Sequence, residues 1–323
     1  AACAFAIGAS YAGKCAVTIT SGPGYSLKQE AIGLAVMAEI PLVVVNVQRG
    51  GPSTGQPTKV EQGDLLAACF GSHGDAPKVV LAEADVADCF HSVITARKIA
   101  ETFGAVVVVL SDAKLATAQQ RFPRPRFRPE WVAADPDPTP VSAGLAPYDW
   151  DDASGLSARP QPGRPGGMHT VTGLAHDRHG RVAYDPRVNQ EGIRMRRRKL
   201  AALQAALRLP DLLGEPDGEL LVVGWGSTRG EIEEAVARVR ADGHRVSALH
   251  LRFLSPLPRG LAPLFRRFAR VMTVEMSSSD GASDDPAGPE PAEEGRHHSG
   301  LALLLRATAL VDVDAFGEVT GQP

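Results

Sequence analysis

Apolar, β-branched runs alternate along this chain with segments whose apolar residues recur at helical spacing. The clearest run is residues 42–47, LVVVNV, which stops abruptly at Arg49-Gly50-Gly51-Pro52. Because polar residues do not alternate within it, this run predicts a central strand buried on both faces of a parallel sheet. The repeated exchange of strand and helix patterns predicts an α/β fold built on a doubly wound parallel sheet.

A neighbouring strand is predicted at residues 16–20, followed by Ser21-Gly22-Pro23-Gly24 as a glycine turn and by a helix over residues 27–40. A further helix is predicted over residues 86–103 and a buried strand over residues 105–112. In open α/β sheets, ligands bind just beyond the carboxyl ends of the strands. The two glycine-containing loops therefore predict a ligand site at one edge of the sheet.

The residues of these loops suggest what that site binds. Arg49 offers a planar fork of donors suited to a carboxylate or a phosphate, and its loop also carries Ser53, Thr54 and Lys59. Gly50 allows a ligand to approach the backbone closely. Backbone N–H groups in the Ser21–Gly24 turn favour an anion or a polar heterocycle. In the alternative interpretation, Arg49 pairs with a nearby acid and Gly-Gly-Pro is only a tight turn.

The second half of the chain changes character twice. Residues 119–190 are rich in Pro, Arg, Gly and Asp, and predict an extended crossover that ends in a basic helix over residues 191–207, whose charges are expected to be solvated. Strand and helix patterns then resume and are interrupted by a polar insert, residues 277–299, whose composition is typical of disorder. The predicted organisation is an α/β domain at 1–118, a crossover linker with its basic helix at 119–215, and a second α/β domain at 216–323.

Composition and charge exclude several classes of protein. The formal net charge of −3 over 323 residues argues against a general nucleic-acid binder. The sequence shows neither a run long enough to span a bilayer nor a secretory signal, so a cytoplasmic enzyme is expected. The cysteines show no C-x-x-C spacing, and no metal site is predicted. His169, His176 and His179 are expected to be surface loop residues. The four cysteines are Cys3, Cys15, Cys69 and Cys89.

Residues 20–66, TSGPGYSLKQEAIGLAVMAEIPLVVVNVQRGGPSTGQPTKVEQGDLL, closely resemble the pyrimidine-binding domain in the α subunit of 2-oxoacid:ferredoxin oxidoreductases, most like the 2-oxoglutarate type. The resemblance continues with gaps to the C-terminus, where the second domain is similar to the transketolase C-terminal module. It implies oxidative decarboxylation of a 2-oxoacid with coenzyme A, with electrons passing to ferredoxin. Thiamine diphosphate with Mg is the implied cofactor.

The resemblance also assigns roles to the two loops. It implies that the 2-oxoacid is bound by Arg49, Ser53, Thr54 and Lys59, and that the cofactor is bound by Ser21, Gly22, Pro23, Gly24 and Gly50. The chain has no Gly-Asp-Gly followed by Asn for the Mg-diphosphate half of the cofactor. A β subunit is therefore expected to bring that half together with an iron–sulfur cluster, and neither nucleic acid nor a membrane is expected as a partner.

Two departures from the family pattern leave a second hypothesis open. The family's cofactor-activating glutamate and its threonine motif precede the matched region, and no carboxylate occurs here before Glu30, so no catalytic residue is assigned. The insert at 277–299 replaces the start of a motif that the family reads as Asn-x-Gly-Gln-Leu. The sequence is expected to be a fragment, to have a misassigned start, or to be a degenerate paralogue. The last of these would be a non-catalytic assembly or binding subunit.

The composition of the insert yields a first prediction. Deleting residues 278–297 should leave the melting temperature nearly unchanged, because so polar a segment cannot bury enough apolar area to offset the entropy of ordering it. Thermal unfolding of the deletion variant measures this. A variant carrying a Gly-Ser linker of the same length controls for chain connectivity, and a drop of several degrees in both variants would mean that the insert packs against the protein.

Overall fold

Two five-stranded sheets, both mainly parallel, organise the protein. The computed structural model describes residues 1–132, 139–141, 146–157, 159–278, 298–319 and 321. The strands are β1 Val17–Thr20, β2 Leu42–Gln48, β3 Val79–Ala82, β4 Val106–Asp112, β5 Leu212–Leu213, β6 Gly218–Trp225, β7 Val246–Leu251, β8 Phe253–Ser255, β9 Phe268–Glu275 and β10 Asp314–Gly317. The first sheet has the order β1-β2-β4-β3-β8, and the second has the order β10-β9-β6-β7-β5.

Helices connect these strands and cover the sheets. They are α1 Ala2–Tyr11, α2 Gly22–Ser26, α3 Gln29–Met37, α4 Leu65–Phe70, α5 Val86–Phe103, α6 Ala113–Thr117, α7 Pro186–Ala206, α8 Arg229–Ala241, α9 Leu261–Phe265 and α10 Gly300–Ala309. Within the described residues, none of them has the length and apolar character needed to cross a bilayer.

Strand β2 lies at the centre of the first sheet, as its sequence predicted. It pairs in parallel with β1 on one side and with β4 on the other. Val44 belongs to the apolar cluster on one face of the sheet and Val45 to the cluster on the opposite face, so β2 is buried on both sides. The predicted parallel α/β fold is confirmed.

The two sheets share an apolar core. One cluster contains Val44 and Leu110 of the first sheet together with Trp225 and Leu251 of the second. In addition, β8 follows directly after β7 of the second sheet but pairs antiparallel with β3 of the first. The shared core and β8 thus join the two sheets, and the second sheet lies against the edge of the first at which a ligand site is predicted.

The basic helix differs from its prediction. It begins at Pro186 rather than near residue 191, with Asp185 accepting backbone N–H groups at its N-terminus. Its charges are not all solvated, because Arg196 and Lys199 are buried. The ammonium group of Lys199 forms an ion pair with the equally buried carboxylate of Glu39, which follows α3. Burial lowers the pKa of Lys199, and Glu39 opposes that shift.

The crossover packs onto this ion pair. Trp150 Nε1 donates a hydrogen bond to Glu39 Oε1 at 2.9 Å, and the Arg159 guanidinium donates to the backbone carbonyls of Ala38 and Glu39. His176, expected at the surface, is buried against the Tyr148 ring with the ring centroids 4.0 Å apart, because the crossover folds back over α3.

Residues 279–297, most of the predicted disordered insert, lie outside the described residues, while Ser277 and Ser299 at its ends are buried. Within the described part of the chain, no group of His, Cys, Asp and Glu could hold a metal ion. All four cysteines are free, and burial raises the pKa of the Cys15 thiol to about 11.

The buried ion pair yields a second prediction. Lys199→Met should lower the free energy of unfolding by about 3 kcal/mol, because it leaves the Glu39 carboxylate buried without its cation. The double variant Glu39→Gln/Lys199→Met should recover most of this loss, since no buried charge remains. Denaturant unfolding of both variants measures the two effects.

Arg197→Met is the matched control, because Arg197 lies on the same helix but forms an exposed ion pair with Asp75. Its loss should stay below about 1 kcal/mol, as is usual for exposed pairs. Equal losses in Lys199→Met and Arg197→Met would contradict a special role for the buried pair.

Candidate functional site

The carboxyl ends of three neighbouring parallel strands form the candidate site. Thr20 at the end of β1 pairs with Asn46 in β2, and Gln48 at the end of β2 pairs with Asp112 at the end of β4. The loop that follows β1 and the loop that follows β2 therefore leave the sheet side by side. The structure brings the two predicted loops to one edge.

The segment after β1 is helical rather than a turn, which corrects the prediction. Ser21 is extended and stands at the N-cap, and Gly22 opens the short helix α2, in which proline at an early position is favourable. The glycines serve close packing, because a Cβ at Gly24 would lie 2.1 Å from Thr20 Oγ1. Lys28 follows α2, and its Nζ atom donates a hydrogen bond to the same hydroxyl oxygen at 3.1 Å.

The loop after β2 is tied together by its own backbone. Gly50 N–H donates to the Lys59 carbonyl at 3.0 Å, and Gln56 N–H donates to the Gly50 carbonyl at 2.9 Å. Gly51 N–H donates to Glu61 Oε2 at 2.6 Å. Gly55 has a positive φ of 45°, where a Cβ would lie 2.3 Å from the Gly50 carbonyl oxygen, so this turn requires glycine. The loop is held in one shape although most of it is exposed.

Arg49 stands at the base of this loop, one residue beyond β2. It is half-buried, and its Nε atom is buried without a hydrogen-bond partner. Among the described residues Arg49 forms no ion pair with a carboxylate, whereas the alternative interpretation of its role expects one. A half-buried guanidinium with an unused donor is suited to binding an anion.

The other predicted site residues lie nearby on the same edge. Ser53, Thr54 and Lys59 are exposed on the loop after β2, whereas Gly50 is buried. Ser21, Gly22, Pro23 and Gly24 are half-buried at the end of β1. The structure thus groups the predicted residues at one edge of the sheet, and their binding roles stay predictions.

The second sheet closes one side of the site. Gln62 Nε2 donates to the Trp225 carbonyl at 3.0 Å, and Met276 N–H donates to Gln62 Oε1 at 3.0 Å. Ser227 Oγ donates to Asp112 Oδ2 at 2.5 Å. Burial raises the pKa of Asp112, while the hydrogen bond from Ser227 opposes this shift. Residues 226–228 are buried in this contact.

Three residues that the sequence analysis did not single out connect the strand ends. Asn46 Nδ2 donates to Asp64 Oδ2 at 2.9 Å, and Asp64 N–H donates to Gln48 Oε1 at 3.0 Å. Gln48 Nε2 in turn donates to the Ser111 carbonyl at 3.1 Å. The available signal was the presence of Asn46 and Gln48, two amides, in a strand that is otherwise apolar.

A buried carboxylate also organises the second sheet near the insert. Glu275 at the end of β9 accepts hydrogen bonds from Trp225 Nε1 at 3.0 Å, from the Ser299 hydroxyl and from Leu301 N–H. The carboxylate therefore lies at the N-terminus of α10, where the helix dipole favours a negative charge. Burial raises the pKa of Glu275, and these donors oppose the shift.

Comparisons with known proteins agree with this architecture. Residues 1–194 match the family described as "Pyruvate flavodoxin/ferredoxin oxidoreductase, thiamine diP-bdg". The chain is 38% identical over 322 residues to the 2-oxoglutarate oxidoreductase subunit KorA of Mycobacterium tuberculosis, covering 98% of this chain and 45% of that protein. It is 34% identical over 279 residues to the 2-oxoglutarate synthase subunit KorA of Methanothermobacter thermautotrophicus, covering 84% of this chain and 72% of that protein.

A solved structure is similar along nearly the whole chain. The 2-oxoglutarate:ferredoxin oxidoreductase from Magnetococcus marinus, with 2-oxoglutarate, coenzyme A and succinyl-CoA bound, superposes with a TM-score of 0.85 at 33% identity, covering 99% of this chain and 53% of that one. The chain thus spans about half the length of several relatives that it matches. The chain belongs to the pyruvate flavodoxin/ferredoxin oxidoreductase family, with 2-oxoglutarate oxidoreductase KorA subunits among its relatives.

Proposed function

We propose that this chain is part of the α subunit of a thiamine-diphosphate-dependent oxidoreductase that decarboxylates 2-oxoglutarate with coenzyme A and passes the electrons to ferredoxin. The observation that carries the proposal is the half-buried Arg49, whose unpaired Nε lies at the strand-end edge beside the segment after β1. The family membership and the 2-oxoglutarate relatives support the choice of cofactor and substrate.

We propose that the substrate carboxylate is bound by the positive side chains of the loop after β2. A 2-oxoacid brings at least one carboxylate to the site, and a fixed guanidinium binds it through two parallel hydrogen bonds. Arg49 takes this role, with Lys59 as a second positive charge on the same loop. Ser53 and Thr54 supply hydroxyl donors for the remaining oxygens. Because the loop is fastened at Gly50 and Gly51, these groups are held in place before the substrate arrives.

We propose that the cofactor is bound mainly by the segment after β1. Thiamine diphosphate, when bound, supplies the electron sink for decarboxylation. Ser21, Gly22, Pro23 and Gly24 would contact it from β1, and Gly50 from β2. The Cβ positions of Gly22 and Gly24 are approached by Asp64 and Thr20, so the cofactor would meet the half-buried backbone of this segment rather than a space left by the glycines. We assign the Mg-diphosphate half and the iron–sulfur cluster to a β subunit, as the resemblance implies.

The partners follow from this assignment. The proposed complex contains a β subunit, uses ferredoxin as electron acceptor and takes coenzyme A as the acyl acceptor. Coenzyme A and ferredoxin are intracellular reactants, which places the complex in the cytoplasm. The alternative is a non-catalytic assembly or binding subunit. In-frame coding sequence upstream of Ala1 for the threonine and glutamate motifs would favour the enzyme.

A third prediction tests Arg49. In the assembled α/β complex, Arg49→Lys should lower kcat/KM for the 2-oxoacid by roughly 2 kcal/mol or more of transition-state stabilisation, because lysine keeps the charge but loses the planar fork. Arg49→Ala should lower it further. Substrate kinetics, thiamine diphosphate affinity and melting temperature are measured on the same preparations.

Arg266→Lys serves as the matched control, since Arg266 is exposed on the second domain. If Arg49 only braces its loop, both Arg49 variants lose stability and cofactor affinity together, with no special effect on the 2-oxoacid. Unchanged kinetics in Arg49→Lys would remove this residue from the substrate site.

A fourth prediction separates this chain from its partner. The purified chain alone should bind thiamine diphosphate poorly and catalyse no decarboxylation, because it lacks the motif for the Mg-diphosphate half. Calorimetric titration with and without Mg, then with the β subunit added, measures this. Tight Mg-dependent binding by the isolated chain would show that the cofactor site is complete within it.

A further inference from the structure

We propose that Asp64 is a positioning residue that holds the segment after β1 against β2 and so sets the separation of the two binding loops. The inference rests on the proposed function, which assigns cofactor and substrate to these loops. One hydrogen bond and one close approach define it: Asn46 Nδ2 donates to Asp64 Oδ2 at 2.9 Å, and the same oxygen lies so near Gly22 that a Cβ there would be only 3.3 Å from it. The carboxylate is thus packed between the ends of two strands.

The orientation of Asp64 is not explained by its local position. Asp64 is the N-cap residue of α4, where an aspartate usually accepts a backbone N–H from the first turn. Its side chain makes no such bond. Asp85, Asp112 and Asp185 do accept backbone N–H groups at the N-caps of α5, α6 and α7. Asp64 forgoes this local stabilisation, and its carboxylate turns toward the neighbouring strand ends.

The buried amide of Asn46 destabilises the folded state, so its presence in β2 suggests a further role. It is fully buried in a strand of apolar residues, and its Oδ1 atom has no hydrogen-bond partner. A buried unpaired acceptor destabilises the folded state. Asp64 is half-buried and forms no ion pair within the described residues, and burial raises its pKa. Two locally unfavourable residues that contact each other at a ligand edge are typical of a site kept for function.

The contact extends to both loops. Asp64 N–H donates to Gln48 Oε1 at 3.0 Å, and Gln48 directly precedes Arg49. On the other side, the carboxylate abuts Gly22, the first residue of α2. A shift of Asp64 would therefore change the distance between the cofactor-binding segment and the substrate-binding guanidinium. Displacements of about 1 Å between reacting groups can lower rates by on the order of 100-fold.

The test compares three variants in the assembled oxidoreductase with its β subunit. Asp64→Ala removes the acceptor for Asn46, and should lower kcat/KM for the 2-oxoacid by about 10-fold or more, measured with a small-molecule electron acceptor. Asp64→Asn keeps an oxygen that can accept from Asn46 Nδ2, and should stay close to wild type. Asp185→Ala removes an ordinary N-cap on the crossover, and should lower the melting temperature without changing kcat/KM.

A fourth variant, Asn46→Leu, keeps the test decisive if Asp64→Ala fails to assemble. Asn46→Leu breaks the same hydrogen bond from the strand side and replaces a buried amide by an apolar side chain of similar size. It should keep the melting temperature near that of wild type while lowering kcat/KM as Asp64→Ala does. Such a loss of activity in a stable protein supports a positioning role.

The outcomes separate this inference from the proposed function. If the wild-type complex oxidises the 2-oxoacid and both Asp64→Ala and Asn46→Leu match Asp185→Ala in kcat/KM, Asp64 has no positioning role. If the wild-type complex itself does not oxidise a 2-oxoacid, the proposed function fails, and the loops lose the roles on which this inference depends.

Discussion

The parallel pairing of β2 between β1 and β4 is the constraint on which the candidate site depends. Parallel strands end at the same edge of a sheet, so this pairing places the residues after Thr20, Gln48 and Asp112 together although they are far apart in sequence. The strand can occupy this central position because its alternate side chains pack into apolar clusters on both faces of the sheet. The polar groups of the site are thus positioned by a scaffold that is almost entirely apolar.

The second sheet adds rigidity where the first sheet ends. The contacts of Gln62 with Trp225 and Met276, and the hydrogen bond between Ser227 and Asp112, fasten the loop after β2 and the end of β4 to the second sheet. The sheets are also joined by β8, which follows β7 of the second sheet and pairs with β3 of the first, and by their common apolar core. At the opposite edge of the first sheet, before β2 begins, the buried pair of Glu39 and Lys199 fastens α7 to the residues that follow α3.

Three strands of the first sheet, the bounds of α5 and the family were predictable from the sequence. β2 and α5 were predictable because unbroken apolar runs and strong helical periodicity depend on local physics alone. Arg49 and the glycines were found because they lie in loops directly after such strands. The burial of Lys199 and His176 was not predictable, since a charged helix face and a loop histidine are usually solvated.

Which polar groups meet depends on the packing of the two sheets against each other. The bonds of Asp64 with Asn46 and Gln48, and the burial of residues 226–228 against Asp112, join segments separated by up to 115 positions. Sequence periodicity reports which face of an element is apolar, but not which residue of another element lies opposite a polar side chain. That choice follows from sheet order and domain packing, which depend on the whole core rather than on any local pattern.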